Sequence, residues 1–164
     1  MEKPQTVLLI EDDENDVFFF KRALENNGLP FELRVVRNGK AARDYLTGQG
    51  EFTNRELFPF PKFIFTDGRM PEVSGTTFLE WLKEHPEFHV VPTIVLSGTG
   101  QSHAVRKAYD ELGVQSYILK PNGNEELETA LALIFKYWAM CTVPPRIQEK
   151  EEGRQRTGSE APAD

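Results

Sequence analysis

The stretch Thr6–Gly28, TVLLIEDDENDVFFFKRALENNG, decides how the rest of the chain is read. Its first five residues are almost wholly apolar and stop abruptly at Glu11, Asp12 and Asp13, which is the pattern of a strand buried on both faces. A helix should follow. Asp13 is placed to cap its N-terminus, Glu14 and Asp16 sit where a helix dipole favours negative charge, and Val17, Phe20 and Leu24 recur at helical spacing until Asn27 and Gly28 end it.

The same alternation continues downstream. Leu33, Val35 and Val36 predict a second strand, Gly39–Leu46 a short helix, Phe63–Thr66 a third strand, and Thr76–Glu84 a helix carrying Phe78, Leu79 and Leu82. Thr93–Leu96 is a fourth strand before a polar helix, His103–Leu112, which Gly113 ends. Ser116–Leu119 is a fifth strand before a final helix over about Glu125–Met140. Five strands alternating with five helices imply a parallel sheet with right-handed crossovers and helices on both faces. In such a doubly wound α/β domain, chemistry collects at the carboxyl ends of the strands, near the point where strand order reverses.

Two segments stand outside the alternation. The connection 48–61 is long, but Phe52, Leu57, Phe58 and Phe60 make it too apolar for a loose linker, so it is expected to fold back on the domain. From Pro144 onward the chain is rich in charge, Pro, Gly and Gln with almost nothing apolar, and so cannot offset the entropy cost of ordering. The expected organisation is one domain over 1–143 and a disordered charged tail over 144–164.

Of the 164 residues, 26 are Asp or Glu and 19 are Lys or Arg, a net charge of -7. This balance argues against a partner recognised through nucleic acid phosphates or an anionic membrane surface. Cys141 is the single cysteine, so no intramolecular disulfide and no Cys-rich metal site can form, which suits a reducing cytoplasm. The first six residues contain no apolar signal region, and the apolar run Ala130–Met140 is interrupted by Lys136 and too short to span a bilayer. A soluble cytoplasmic protein is expected.

At the predicted strand ends stand Glu11 and Asp12 after the first strand, Asp67 after the third, Ser97 after the fourth and Lys120 after the fifth. Carboxylates brought together repel and raise one another's pKa unless a cation neutralises them. Mg²⁺ (or Mn²⁺) meets that demand: Mg²⁺ takes oxygen ligands at roughly 2.0–2.1 Å and typically uses one or two carboxylates plus a phosphate. Given a phosphoryl donor, Asp67 is the nucleophile, Lys120 pairs with the transferred oxygens and Ser97 donates a hydrogen bond. Taken singly, each of these residues has an ordinary explanation. Glu11 and Asp12 would be a solvated strand end, Asp67 a turn residue, Lys120 a surface cation and Ser97 a strand-end hydroxyl. Their joint placement favours chemistry.

The set Leu8–Asp13, Phe65–Pro71 with Gly75, Leu96–Gly98 and Tyr117–Pro121 resembles the response regulator receiver pattern over about residues 5 to 140. The resemblance implies a CheY-like, flavodoxin-like fold with strand order 2-1-3-4-5, an order that general treatments of doubly wound sheets themselves attach to this family. It implies Asp67 as phosphoacceptor, Glu11 and Asp12 with the backbone carbonyl of Arg69 as metal ligands, and Ser97 and Lys120 as the phosphate-sensing pair. Tyr117 becomes an aromatic whose rotamer reports phosphorylation. The donor would be a sensor histidine kinase or a histidine phosphotransfer protein, and the output a change in a protein-contact face rather than turnover of a substrate. A homodimer could form through the helix at 103–112, the fifth strand and the last helix. The acidic start and the aromatic connection further resemble the small regulators that accompany phytochrome-type histidine kinases.

Gly68 and Arg69 depart from the usual receiver pattern, where a large aliphatic residue follows the acceptor, and they leave open a degenerate receiver acting as a phosphate-independent scaffold. A flavin carrier finds no support, because Glu11 and Asp12 would repel a cofactor phosphate where a Gly-rich loop would be needed. Phe18, Phe19 and Phe20 cannot all face inward on one helix, so at least one is expected in solvent, as a stray aromatic or as a docking surface for kinase helices. Leu127, Leu131, Ile134, Phe135 and Trp138 read as core, with Phe135 and Trp138 alternatively a dimer face. His85, His89 and His103 lack ligand spacing and are expected at the surface.

Overall fold

Val7, Leu8, Leu9 and Ile10 are all buried whichever way they point, because the strand that carries them is flanked by strands on both edges and covered by helices on both faces. The computed structural model describes residues 4–67, 75–98 and 100–142, the side chain of Thr76 excepted. The strands are β1 (Gln5–Ile10), β2 (Phe31–Val36), β3 (Phe63–Asp67), β4 (Thr93–Ser97) and β5 (Ser116–Leu119), all parallel in the order 2-1-3-4-5. The main helices are α1 (Glu14–Asn26), α2 (Gly39–Thr47), α3 (Gly75–Glu84), α4 (102–111) and α5 (Asn124–Met140), and a single helical turn lies at Pro86–His89. Within α4, an α-helical Ser102–Arg106 continues as a π-helical turn over Lys107–Glu111.

Alternate strand residues feed two cores, as the two-residue period of a strand requires. Val7, Leu9, Phe63, Phe65, Ile94 and Leu96 pack with α1 and α5. Leu8, Ile10, Ile64 and Val95 pack with α2, α3 and α4 on the other side. Phe135 of α5 is fully buried among Phe20, Phe31, Phe63 and Phe65, with ring centroids 5.3–6.2 Å away. Burial of a side chain of this kind contributes about 1.5–3 kcal/mol. Trp138 is also buried, so the alternative of Phe135 and Trp138 as a dimer face is corrected: a ring held against β3 is not available to a second chain. The large apolar residues that α5 exposes are Leu133, Tyr137 and Met140.

Local expectations were met where caps and spacing carry them. The Asp13 carboxylate accepts from the amides of Asn15 (2.7 Å) and Asp16 (3.4 Å), capping α1. Phe20 is buried and Phe19 half-buried, and Phe18 is the phenylalanine left in solvent, with Arg22 over its ring. The connection 48–61 does fold back. Phe52 is wedged against Tyr45 and Phe58, each 5.1 Å away, and a short 3₁₀ turn covers Gly50–Thr53. Arg55 donates to the carbonyls of Tyr45 and Leu46, 2.7 Å each, at the C-terminal end of α2, while the Tyr45 hydroxyl donates to the Pro59 carbonyl. No helix among the described residues is long and apolar enough to cross a membrane. The segment around Gly68, Arg69 and Met70 and the tail from Pro144 lie outside the described residues.

Candidate functional site

Sheet register assembles the site. β1 and β3 pair Ile10 with Thr66, so the next residues, Glu11 and Asp67, leave the two strands side by side. β3 and β4 pair Asp67 with Leu96, which places Ser97 one step further along the same rim. β4 and β5 pair Ser97 with Leu119, and the Lys120 amide donates to the Ser97 carbonyl at 2.8 Å. The Lys120 side chain then turns back across the rim. Its ammonium lies 3.0 Å from Asp67 Oδ2 and 3.2 Å from Glu11 Oε2, and it also bonds Asp16 Oδ2, from the first turn of α1.

The three carboxylates differ in exposure. Glu11 is 1 % exposed, against 15 % for the Asp67 side chain and 22 % for that of Asp16. Glu11 Oε1 accepts from the backbone amides of Asp12 and Asp13, both 3.1 Å away. Burial pushes the Glu11 carboxyl up to about 7, against the pull of Lys120 and the Asp13 amide and with the help of the neighbouring Asp67 and Asp16 charges. For Lys120, burial alone would lower the pKa. The hydrogen bond to Asp16 and the charges of Glu11 and Asp67 more than reverse this, and the amine stands above its ordinary range.

Three acids sharing one ammonium leave the site short of positive charge when all are ionised. The oxygens of Glu11, Asp16 and Asp67 lie within 4.8 Å of one another and could hold a metal ion. All donors are hard oxygens, the set that suits Mg²⁺ or Mn²⁺. Below Asp67, a cavity of about 160 Å³ opens toward α4, lined among others by Leu79, Val95, Lys107, Ala108 and Tyr117.

A family profile described as response regulator receiver domain matches residues 7–132. The chain belongs to the receiver domain family. It is 33% identical over 137 residues to the probable methanogenesis regulatory protein FilR2 of Methanothrix harundinacea, covering 84% of this chain and 85% of that one. It is 30% identical over 142 residues to response regulator Rcp1 of Synechocystis, covering 87% and 94%. A crystal structure of Rcp1 in its Mn²⁺-bound form superposes with a TM-score of 0.78 at 29% identity, over 87% of this chain and all of that one. The phosphorylated cyanobacterial phytochrome response regulator RcpA superposes at 0.79 with 30% identity, over 86% and 99%. The sheet order 2-1-3-4-5 is the CheY-like arrangement that the resemblance implied. Receiver domains partner with histidine kinases in two-component signalling, and this chain is a member of that class.

Of the residues singled out in the sequence, the fold brings together Glu11, Asp67 and Lys120, with Ser97 buried on the same rim and Tyr117 half-buried at the cavity beside Asp67. Asp12 is exposed, and its carboxylate is outside the converging group; its amide instead donates to Glu11, and its carbonyl accepts from Arg37 at 3.3 Å. Arg69 lies outside the described residues. Asp16 was read only as a favourable charge at a helix N-terminus. The usable signal was its place four residues before the buried Phe20, which puts both on the face of α1 that looks toward the sheet.

Proposed function

We propose that the protein is a single-domain response regulator whose Asp67 accepts a phosphoryl group from a phosphohistidine on a sensor histidine kinase or histidine phosphotransfer protein. The carrying observation is the Lys120 ammonium, 3.0 Å from Asp67 on a rim it shares with buried Glu11. An Asp67 carboxylate oxygen forms the new bond to phosphorus as the P–N bond breaks, and the imidazole leaves neutral when its other ring nitrogen holds a proton. Glu11 and Asp67, with Asp12 at the exposed lip and the carbonyl of Arg69, are the residues assigned to Mg²⁺ or Mn²⁺. The bound cation supplies charge neutralisation during transfer. Lys120 moves from Glu11 and Asp67 to the phosphoryl oxygens, and Ser97 donates a hydrogen bond to them.

The added charge, about -1.5 to -2, draws Ser97 inward and lets the Tyr117 ring enter the cavity beneath Asp67. The face made by α4, β5 and α5 then changes its contacts. It exposes Tyr109, Leu119 and Tyr137, and it is the surface assigned to homodimer formation. This reading makes the protein a cytoplasmic switch that takes part in its own phosphotransfer and dephosphorylation. The receiver unit is taken as residues 1–143, supported by a family match ending at 132 and a last helix ending at Met140.

A small phosphoryl donor with Mg²⁺ tests the reading. Intact-mass measurement is expected to show one added phosphoryl group, absent without Mg²⁺ and absent in Asp67→Asn. A wild-type chain that gains no mass would instead be a phosphate-independent scaffold.

A further inference from the structure

We propose that Asp16 is a positioning residue for Lys120, holding its ammonium at the rim while Glu11 and Asp67 turn to a divalent cation. The inference rests on the receiver reading above and concerns a residue that the receiver motifs quoted above do not include.

A lysine ammonium has three N–H donors, and here each of three carboxylates accepts one. The three acceptors are not equivalent. The oxygens of all three lie within 4.8 Å of one another, but Glu11 and Asp67 leave neighbouring strands and are the pair assigned to the cation, whereas Asp16 approaches from α1. A cation entering that corner displaces the ammonium from two of its three acceptors. The third bond can persist, and it keeps Lys120 beside the acceptor, ready for the phosphoryl oxygens. The Lys120 side chain is 14 % exposed, so an ammonium without Asp16 would be partly desolvated and left with only the two acids the metal needs. Lys120 would then compete directly with the metal. The Asp16 bond is also the largest of the influences that raise the Lys120 amine.

The test is a double-mutant cycle on the full chain, read as Mn²⁺ affinity by electron paramagnetic resonance or calorimetry rather than as phosphorylation. Asp16→Asn is nearly isosteric and is expected to weaken Mn²⁺ binding by roughly fivefold to tenfold, a coupling typical of groups in one network. In a Lys120→Gln background the same change is expected to cost less than about twofold, the remainder being lost through-space charge. Asp16→Glu should restore most of the affinity in the parent protein. Should Lys120→Gln fold poorly, Lys120→Met gives the same comparison, and circular dichroism with Mn²⁺ present verifies each variant.

The proposal is overturned if Asp16→Asn leaves Mn²⁺ binding unchanged or tighter. It is equally overturned if the loss is undiminished without Lys120, since Asp16 would then act on the ion itself. Phosphoryl uptake by the parent chain is measured separately. Its absence would remove the acceptor reading without altering the outcome of the cycle, so the two failures are distinguishable.

Discussion

Burial lifts the Glu11 carboxyl from an ordinary 4.5 to about 7, and the sign of that shift has two measurable results. An acid whose pKa is raised by folding favours the folded state when protonated. Its contribution is therefore fully present below about 4.5 and is lost as pH rises through about 7. The metal-free protein should melt at progressively lower temperature across that window, and Glu11→Gln should flatten this part of the pH profile in thermal denaturation. A divalent cation needs the ionised carboxylate, so Mn²⁺ affinity should rise over the same interval, with proton release detectable by calorimetry in buffers of different ionisation enthalpy. At this scale the sequence was informative about which residue types end each strand, and it gave Glu11, Asp67 and Lys120. It was silent about which neighbouring acid points inward. Asp12 and Asp16 are both acidic and both near the end of β1, and only the helix phase set by Phe20 separates them.

Elements bounded by clear turn chemistry were legible almost to the residue. α1 opens at its Asp13 cap, β5 spans Ser116–Leu119 as expected, and α5 begins one residue early, at Asn124. The π-helical turn in α4 was not legible, because one extra residue in a turn changes the hydrogen-bond ladder without changing composition. It shows in the bond from the Leu112 amide to the Lys107 carbonyl, five residues back. The single helical turn Pro86–His89 was also missed, being too short for a periodic pattern. The connection 48–61 was legible in outcome through its phenylalanines, although its clasp was not, since nothing in the sequence marks Arg55 as the donor to α2. Arg55→Ala removes two charge-assisted hydrogen bonds to the Tyr45 and Leu46 carbonyls and should destabilise the fold by about 2 kcal/mol in urea denaturation. Phosphoryl uptake should be unaffected, because the clasp lies on the connection before β3 and not at the strand ends.

For the whole molecule, the alternation of strands and helices was enough to predict a doubly wound sheet, and the strand order came from the receiver resemblance. What alternation cannot supply is the state of association, which depends on the exposed residues of several elements at once. Tyr109, Leu119 and Tyr137 come from α4, β5 and α5, and all three are exposed. Sizing by multi-angle light scattering is expected to show a phosphorylation-dependent shift toward dimer, abolished by Leu119→Glu, while intact-mass measurement shows phosphoryl uptake retained. An unchanged mass on phosphorylation would remove the dimer from the reading and leave the acceptor chemistry standing.

β5 is the outermost strand beyond β4, and the Tyr117 amide donates to the Tyr109 hydroxyl, 2.9 Å away, from the π-helical part of α4. Outermost strands with unmatched amides recruit strands from other molecules. One phenol thus occupies the Tyr117 amide on that margin, and any rearrangement that withdraws α4 would leave this amide open to another chain. A switch built on this helix must therefore occlude the uncovered margin with a partner, or else keep its activated lifetime short.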